Sequence, residues 1–147
     1  MKMRLTIFLT VAMLTLSGCS LLEETNNTLN YATEATEYMN ELSTFAEESS
    51  SLINEAAQSE EAQAELADRL SELEQTAEEF NNIEVPSIAE GIHESLMEQN
   101  QQLLEITNNV VENGEVALDQ LRESEIYQTI ENITELRNQI EQLGFEE

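Results

Sequence analysis

Residues 31–56 read YATEATEYMNELSTFAEESSSLINEA. Within them Tyr31, Ala35, Tyr38, Leu42, Phe45, Ser49, Leu52 and Ala56 recur at alternating steps of four and three. That is the spacing of one face of an α-helix, which turns once in about 3.6 residues. A neighbouring row, Ala32, Met39, Ala46 and Ile53, widens the apolar face beyond a coiled-coil seam. The segment therefore reads as the core of a first helix, from about Leu22 to Ala57, that packs against other elements. Ser49-Ser50-Ser51 is its weak point, because serine hydroxyls compete with the helical backbone for hydrogen bonds.

Outward from this helix the pattern repeats. Glu60 to Phe80 carries the stripe Leu66, Leu70, Leu73, Ala77 and Phe80, with Ser59 as N-cap and Glu60 and Glu61 in the favourable first turn. Asn81 to Pro86 reads as a loop, since Pro86 disfavours helix at Val85. Ser87-Ile88-Ala89-Glu90 has the form of a capping box, Ser87 at N-cap and Glu90 at N3. A third helix then runs to about Glu112, with Ala89, Ile92, Leu96, Gln99, Leu103, Ile106 and Val110 as its stripe. Asn113-Gly114 reads as its C-terminal stop. A fourth helix spans about Glu115 to Gly144. Its stripe slips phase across Arg122 to Ser124, with Leu118 and Leu121 in one register and Ile126, Ile130, Ile133 and Ile140 in another.

No stretch alternates at period two with β-branched enrichment, so no sheet is expected. The expected fold is all-α, an antiparallel bundle of about four helices. The lengths match poorly: at 1.5 Å per residue helix 1 would be roughly 50 Å long and helix 2 roughly 30 Å. Either helix 1 breaks near the serines, or its first turns form a stalk between lipid and bundle; the break is the preferred reading, with Leu22 to about Asn30 as a partly ordered tether.

The N-terminus differs in kind. Lys2 and Arg4 form a positive n-region, and Leu5 to Leu16 an apolar h-region that is too short to span a bilayer as a helix. Leu16-Ser17-Gly18-Cys19 follows directly. It resembles the lipobox of bacterial lipoproteins, an aliphatic residue and two small ones before a cysteine. The resemblance implies that Leu16, Ser17 and Gly18 are read by the signal peptidase, and that the Cys19 thiol receives a diacylglyceryl group and becomes the new N-terminus. The chain is thus divided into a signal peptide (1–18), a lipid-attached tether (19–30) and a helical bundle domain (31–147). Cys19 is the only cysteine, so no intramolecular disulfide can form, and lipidation removes an exposed thiol.

Removal of residues 1–18 sharpens the charge. Arg69, Arg122 and Arg137 remain against all 31 acidic residues, a net charge of −28 with no lysine. No basic patch exists to displace counterions from phosphates, which excludes nucleic acid as a ligand. Anionic lipid headgroups repel such a domain within a Debye length of about 8–10 Å, so it stands off the surface that its lipid holds it to. A protein partner, if charge selects it, is an envelope protein with a basic surface.

A second resemblance rests on Cys19-Ser20-Leu21-Leu22-Glu23-Glu24, Leu29-Asn30-Tyr31, Glu41-Leu42-Ser43-Thr44-Phe45-Ala46 and Pro86-Ser87-Ile88-Ala89. These segments are similar to a family of small bacillus-type surface lipoproteins. They are helix-packing segments, not active-site motifs. The resemblance implies a lipid-anchored position on the outer leaflet of a Gram-positive membrane and adds no activity.

Catalytic sets are missing. His93 is the only histidine, so His93-Glu94 cannot complete a zinc H-E-x-x-H motif, and position 97 is methionine. His93 reads as a surface residue. The glycines of the mature chain, Gly91, Gly114 and Gly144, are isolated and make no phosphate loop. Asp68 and Asp119 are too few for a calcium loop. Glu47-Glu48, Glu60-Glu61 and Glu78-Glu79 are sequence neighbours, which point in different directions on a helix. Tyr31, Tyr38 and Phe45 read as an aromatic core stripe. No cofactor, metal or catalytic residue is assigned. The expected function is a non-enzymatic, membrane-anchored interaction or spacer module of the cell envelope. The alternative is a lipoprotein that binds a small ligand or a divalent cation between its helices.

Overall fold

A computed structural model describes residues 18–112 and 115–143. Nearly all of it is helical. Helix α1 (Gly18–Ala56) and helix α2 (Glu60–Asn81) form an antiparallel hairpin, followed by a 3-10 turn (Ser87–Ala89) and helix α3 (Glu90–Val110). Two short strands, β1 (Val111–Glu112) and β2 (Glu115–Val116), lead to helices α4 (Leu118–Glu123), α5 (Ile126–Glu135) and α6 (Arg137–Leu143). The last three occupy the fourth position of the bundle. Ser49 meets Tyr127 and Asn40 meets Arg137, so α5 and α6 run antiparallel to α1. On the other side, Asn132 of α5 meets Gln99 of α3. The circuit α1, α2, α3, α5–α6 closes around one core. Among the described residues no helix is long and apolar enough to cross a membrane.

Most residues of the stripes read from the sequence form the core. Leu42, Leu66, Leu70, Leu96, Leu103, Ile126, Ile133 and Ile140 are fully buried. Each contributes roughly 1.5–3 kcal/mol relative to an exposed position. Ser59 caps α2 as expected, its hydroxyl accepting from the Ala62 N–H at 3.3 Å.

Four expectations are corrected. First, α1 is unbroken through Ser49-Ser50-Ser51, and residues 18–30 are its first turns. The hydroxyls there do not unwind the helix. Ser49 is buried against the Tyr127 hydroxyl at 3.0 Å, and Ser51 donates to the Glu48 carbonyl within the helix. Upstream, Thr28, Thr33, Thr36, Ser43 and Thr44 donate to the carbonyl four residues earlier, so their hydroxyls are satisfied inside the helix.

Second, the capping box does not form. The Ala89 N–H donates to the Pro86 carbonyl at 2.8 Å, which tightens residues 87–89 into a 3-10 turn and places Ser87 inside it. Third, the chain contains a minimal antiparallel ladder, pairing Val111 with Val116 and Glu112 with Glu115. Asn113-Gly114 lie outside the described residues, but the dipeptide between β-branched valines is the two-residue hairpin signal, and α3 ends at Val110. The ladder docks on α2, where Gln63 donates to the Val116 carbonyl at 3.3 Å.

The fourth correction concerns the last expected helix, which is three. Its anticipated phase slip is real: Ser124 turns extended, and the break lets Leu121 and Ile126, five residues apart, both face the core. A further turn at Leu136 separates α5 from α6.

Candidate functional site

Two arrangements of side chains stand out, one closed and one open. The closed one lies across the diagonal of the bundle. Tyr31 and Tyr38 are one heptad apart on α1, and His93 and Asn100 are one heptad apart on α3. The sequence separation is 62 residues for both Tyr31–His93 and Tyr38–Asn100. Equal offsets in the same direction are what two parallel helices produce. The Tyr31 hydroxyl meets His93 Nδ1 at 3.3 Å, the Tyr38 hydroxyl donates to Asn100 Oδ1, and Asn100 Nδ2 donates to Asn81 Oδ1 at 2.8 Å. Phe80, the penultimate residue of α2, fills the space between them. Its ring stacks on Tyr38 at 4.4 Å and lies 5.3 Å from the His93 ring.

Burial sets the ionisation of this cluster. It pushes the Tyr31 and Tyr38 phenols well above their ordinary range, although the Asn100 hydrogen bond partly offsets this for Tyr38. It also lowers the His93 imidazole below its usual value, against a smaller opposing effect of a hydrogen bond to the Asn81 main chain. Nδ1 of that ring is engaged by the Tyr31 hydroxyl, the donor of the pair being set by the ring's tautomer. Among the described residues no buried side-chain polar atom lacks a partner. A neutral, fully paired cluster of this kind fixes which helix meets which.

His93 is therefore not a surface residue: it is 6% exposed. The core-facing row of α3 is His93, Leu96, Asn100, Leu103, Thr107 and Val110, all buried. Ile92, Gln99 and Ile106, placed in that row by the sequence reading, sit half-buried on its flank. The sequence signal was present, since 93, 96, 100, 103, 107 and 110 alternate steps of three and four, but half of these residues are polar.

The open arrangement is a groove of about 790 Å³ along the outer face of the α1–α2 hairpin. Half-buried Phe45 and Leu52, with Leu73, supply its apolar floor. Glu41, Glu48 and Glu55 line one side at heptad spacing, and Glu65, Glu72 and Glu79 the other. All six are exposed. Arg69 is the one basic residue lining it, 3.5 Å from Glu48 and 3.4 Å from Glu72. An exposed pair of this kind is worth less than about 1 kcal/mol, so Arg69 straps the groove weakly.

The aromatic stripe is thus divided: Tyr31 and Tyr38 lie in the closed cluster and Phe45 in the groove. Leu16 and Ser17 lie outside the described residues, and Gly18 and Cys19 are the first two residues of α1. Among the described residues no group of three or more His, Cys, Asp or Glu side chains converges to hold a metal ion.

The chain is similar to known proteins over nearly its whole length. Residues 31–143 match the model of a family of unknown function, DUF6376. Over 147 residues the chain is 35% identical to the uncharacterized lipoprotein YybP of Bacillus subtilis (strain 168), an alignment covering 98% of this chain and 99% of that protein. No solved structure matches. The family match takes in every element from the middle of α1 to the end of α6, and the chain belongs to the DUF6376 family.

Proposed function

We propose that this protein is a lipoprotein of the outer leaflet of a Gram-positive membrane, anchored through a diacylglyceryl group on Cys19, and that its bundle is a non-enzymatic docking module. The observation that carries the reading is the unbroken course of α1 from Gly18 to Ala56. A helix of 39 residues extends about 58 Å, so one rigid rod joins the membrane-proximal end to the far end of the bundle. A flexible tether would leave the orientation free, whereas this rod holds the α1–α2 groove about 30–55 Å from Cys19 along its axis. The charge of −28 on the mature chain repels an anionic bilayer and favours the same upright posture.

Two observations support the non-enzymatic part. The single histidine is buried and engaged by Tyr31, and the single cysteine is the residue proposed to carry the lipid. The relative's name as a lipoprotein, over nearly its whole length, supports the membrane attachment.

Membrane fractionation of a Cys19→Ser variant tests the anchor. The variant is expected either to leave the membrane fraction or to remain unprocessed. Normal cleavage with unchanged retention would contradict lipidation. In-cell photo-crosslinking from exposed helix positions tests the docking role. Lysine-directed reagents do not serve, because the mature chain has no lysine.

A further inference from the structure

We propose that the α1–α2 groove receives a basic amphipathic helix of an envelope protein, laid antiparallel or parallel to α1 between the two rows of glutamates. This rests on the docking reading above and names the partner for it. The first argument is charge: six carboxylates line the groove against one guanidinium. A second copy of this chain is ruled out as occupant on the same ground, since its mature part has three arginines and 31 acids. An anionic lipid surface is repelled likewise.

The second argument is the floor. Half-buried Phe45 and Leu52 give apolar surface between the acidic walls, with buried Leu73 beneath. A free cation gains nothing from that surface, whereas the apolar stripe of a helix is buried by it. The third argument is periodicity. Glu41, Glu48 and Glu55 repeat every seven residues, as do Glu65, Glu72 and Glu79. Seven helical residues advance about 10.5 Å, the repeat of a heptad on any incoming helix. An extended peptide places same-face side chains about 6.6–6.8 Å apart and falls out of step with the rows. From Glu41 to Glu55 the wall runs about 21 Å, which accommodates a helix of about four turns. Lysines or arginines flanking a leucine-type stripe on that helix face the two rows as flanking charges do in a coiled coil.

The test is photo-crosslinking in cells with the full-length lipoprotein, a photoreactive residue replacing Thr44 or Ser51 in the groove, or Asn108 or Gln128 on exposed positions of α3 and α5. The expected result is an adduct from Thr44 and Ser51 with one envelope protein, mapped by mass spectrometry to a basic amphipathic helical segment. In the same strains, Glu41→Gln/Glu48→Gln/Glu55→Gln is expected to lower adduct yield about tenfold. The matched triple Glu94→Gln/Glu98→Gln/Glu105→Gln, on exposed positions of α3, is expected to lower it less than twofold. Adducts only from Asn108 or Gln128 would overturn the groove while leaving the docking role standing. An equal effect of the two triples would also overturn it, because general polyanion attraction would then explain the binding. No adduct from any of the four positions would overturn the docking role and the groove with it.

Discussion

The Tyr38 hydroxyl of α1 donates to the Asn100 side-chain oxygen of α3, and the Asn100 amide donates onward to Asn81 at the end of α2. One buried asparagine thus ties three helices together, with both ends of its amide in use. Asn100 is fully buried, so neither end has water as a substitute.

Tyr38→Phe leaves the Asn100 oxygen unpaired and is expected to destabilise the domain by about 1–3 kcal/mol. Asn100→Leu strands the Tyr38 hydroxyl and is expected to cost a similar amount. The double variant removes both polar partners, and its loss is expected to fall short of the sum by about 1 kcal/mol or more. Urea denaturation of the four proteins, with unchanged m-values, measures the coupling. Strict additivity would show that the two groups act independently.

His93 gives a pH dependence whose sign is fixed by its burial. In the unfolded chain the ring ionises near its ordinary value of 6.5, and in the folded chain below that. Above pH 6.5 both states hold a neutral ring and the full stability is present. As pH falls below it, the unfolded chain gains a proton that the folded core excludes, and stability drops until the folded ring also protonates. The stability margin of the native protein over His93→Gln is therefore expected to be constant from about pH 7 to 8.5 and to shrink toward pH 5. Comparison with the variant cancels the carboxylates common to both proteins. A margin independent of pH across this range would mean that His93 is not buried neutral.

The sequence disclosed the fold wherever apolar residues marked the face. Leu66, Leu70, Leu73, Ala77 and Phe80 placed α2 and its inward side, and the slip between Leu121 and Ile126 located the break in the last segment. It misled where the inward face is polar. His93, Asn100 and Thr107 look like surface residues until Tyr31, Tyr38 and Asn81 are seen to satisfy the first two, and no local rule supplies partners 62 residues away. The same blindness hid the tertiary partner of Ser49, 78 residues distant, and so suggested a break in α1. Asn113-Gly114 also carries the signal for the hairpin at Val111–Val116, but the pair is read above only as a helix stop. The groove was legible in part: both glutamate heptads are plain in the sequence, but only the fold sets them on opposite sides of Phe45 and Leu52.

The serine run separates a continuous α1 from a broken one by mutation. Ser49→Ala removes the bond to Tyr127 and is expected to cost about 1 kcal/mol. Ser50 is exposed within the helix, and Ser50→Ala is expected to stabilise by a few tenths to about 0.5 kcal/mol through helix propensity. Ser50→Pro is expected to cost about 3 kcal/mol or more, since proline removes a helical hydrogen bond and clashes with the preceding turn. Thermal and urea unfolding measure all three. A tolerated proline at position 50 would place a break there after all.

Salt distinguishes a diffuse acidic surface from a specific cation site. Residues 20–147 carry the full charge of −28 and repel themselves most at low ionic strength, where the Debye length is about 30 Å at 0.01 M. Raising NaCl to about 0.15 M shortens that length to about 8 Å, and the melting temperature of the 20–147 fragment is expected to rise by several degrees. CaCl₂ at equal ionic strength is expected to add no more than a degree or two, because the carboxylates of the groove are spaced at heptad intervals along two helices. Adjacent members of one row are about 10.5 Å apart along the axis. A calcium ion takes six to eight oxygens at about 2.3–2.6 Å, which a row so spaced cannot gather around one centre. Melting curves recorded by circular dichroism in the two salts decide the matter. A saturable rise produced by Ca²⁺ alone, at constant ionic strength, would mean that carboxylates do converge in solution and would favour a cation-binding role over helix docking for this groove.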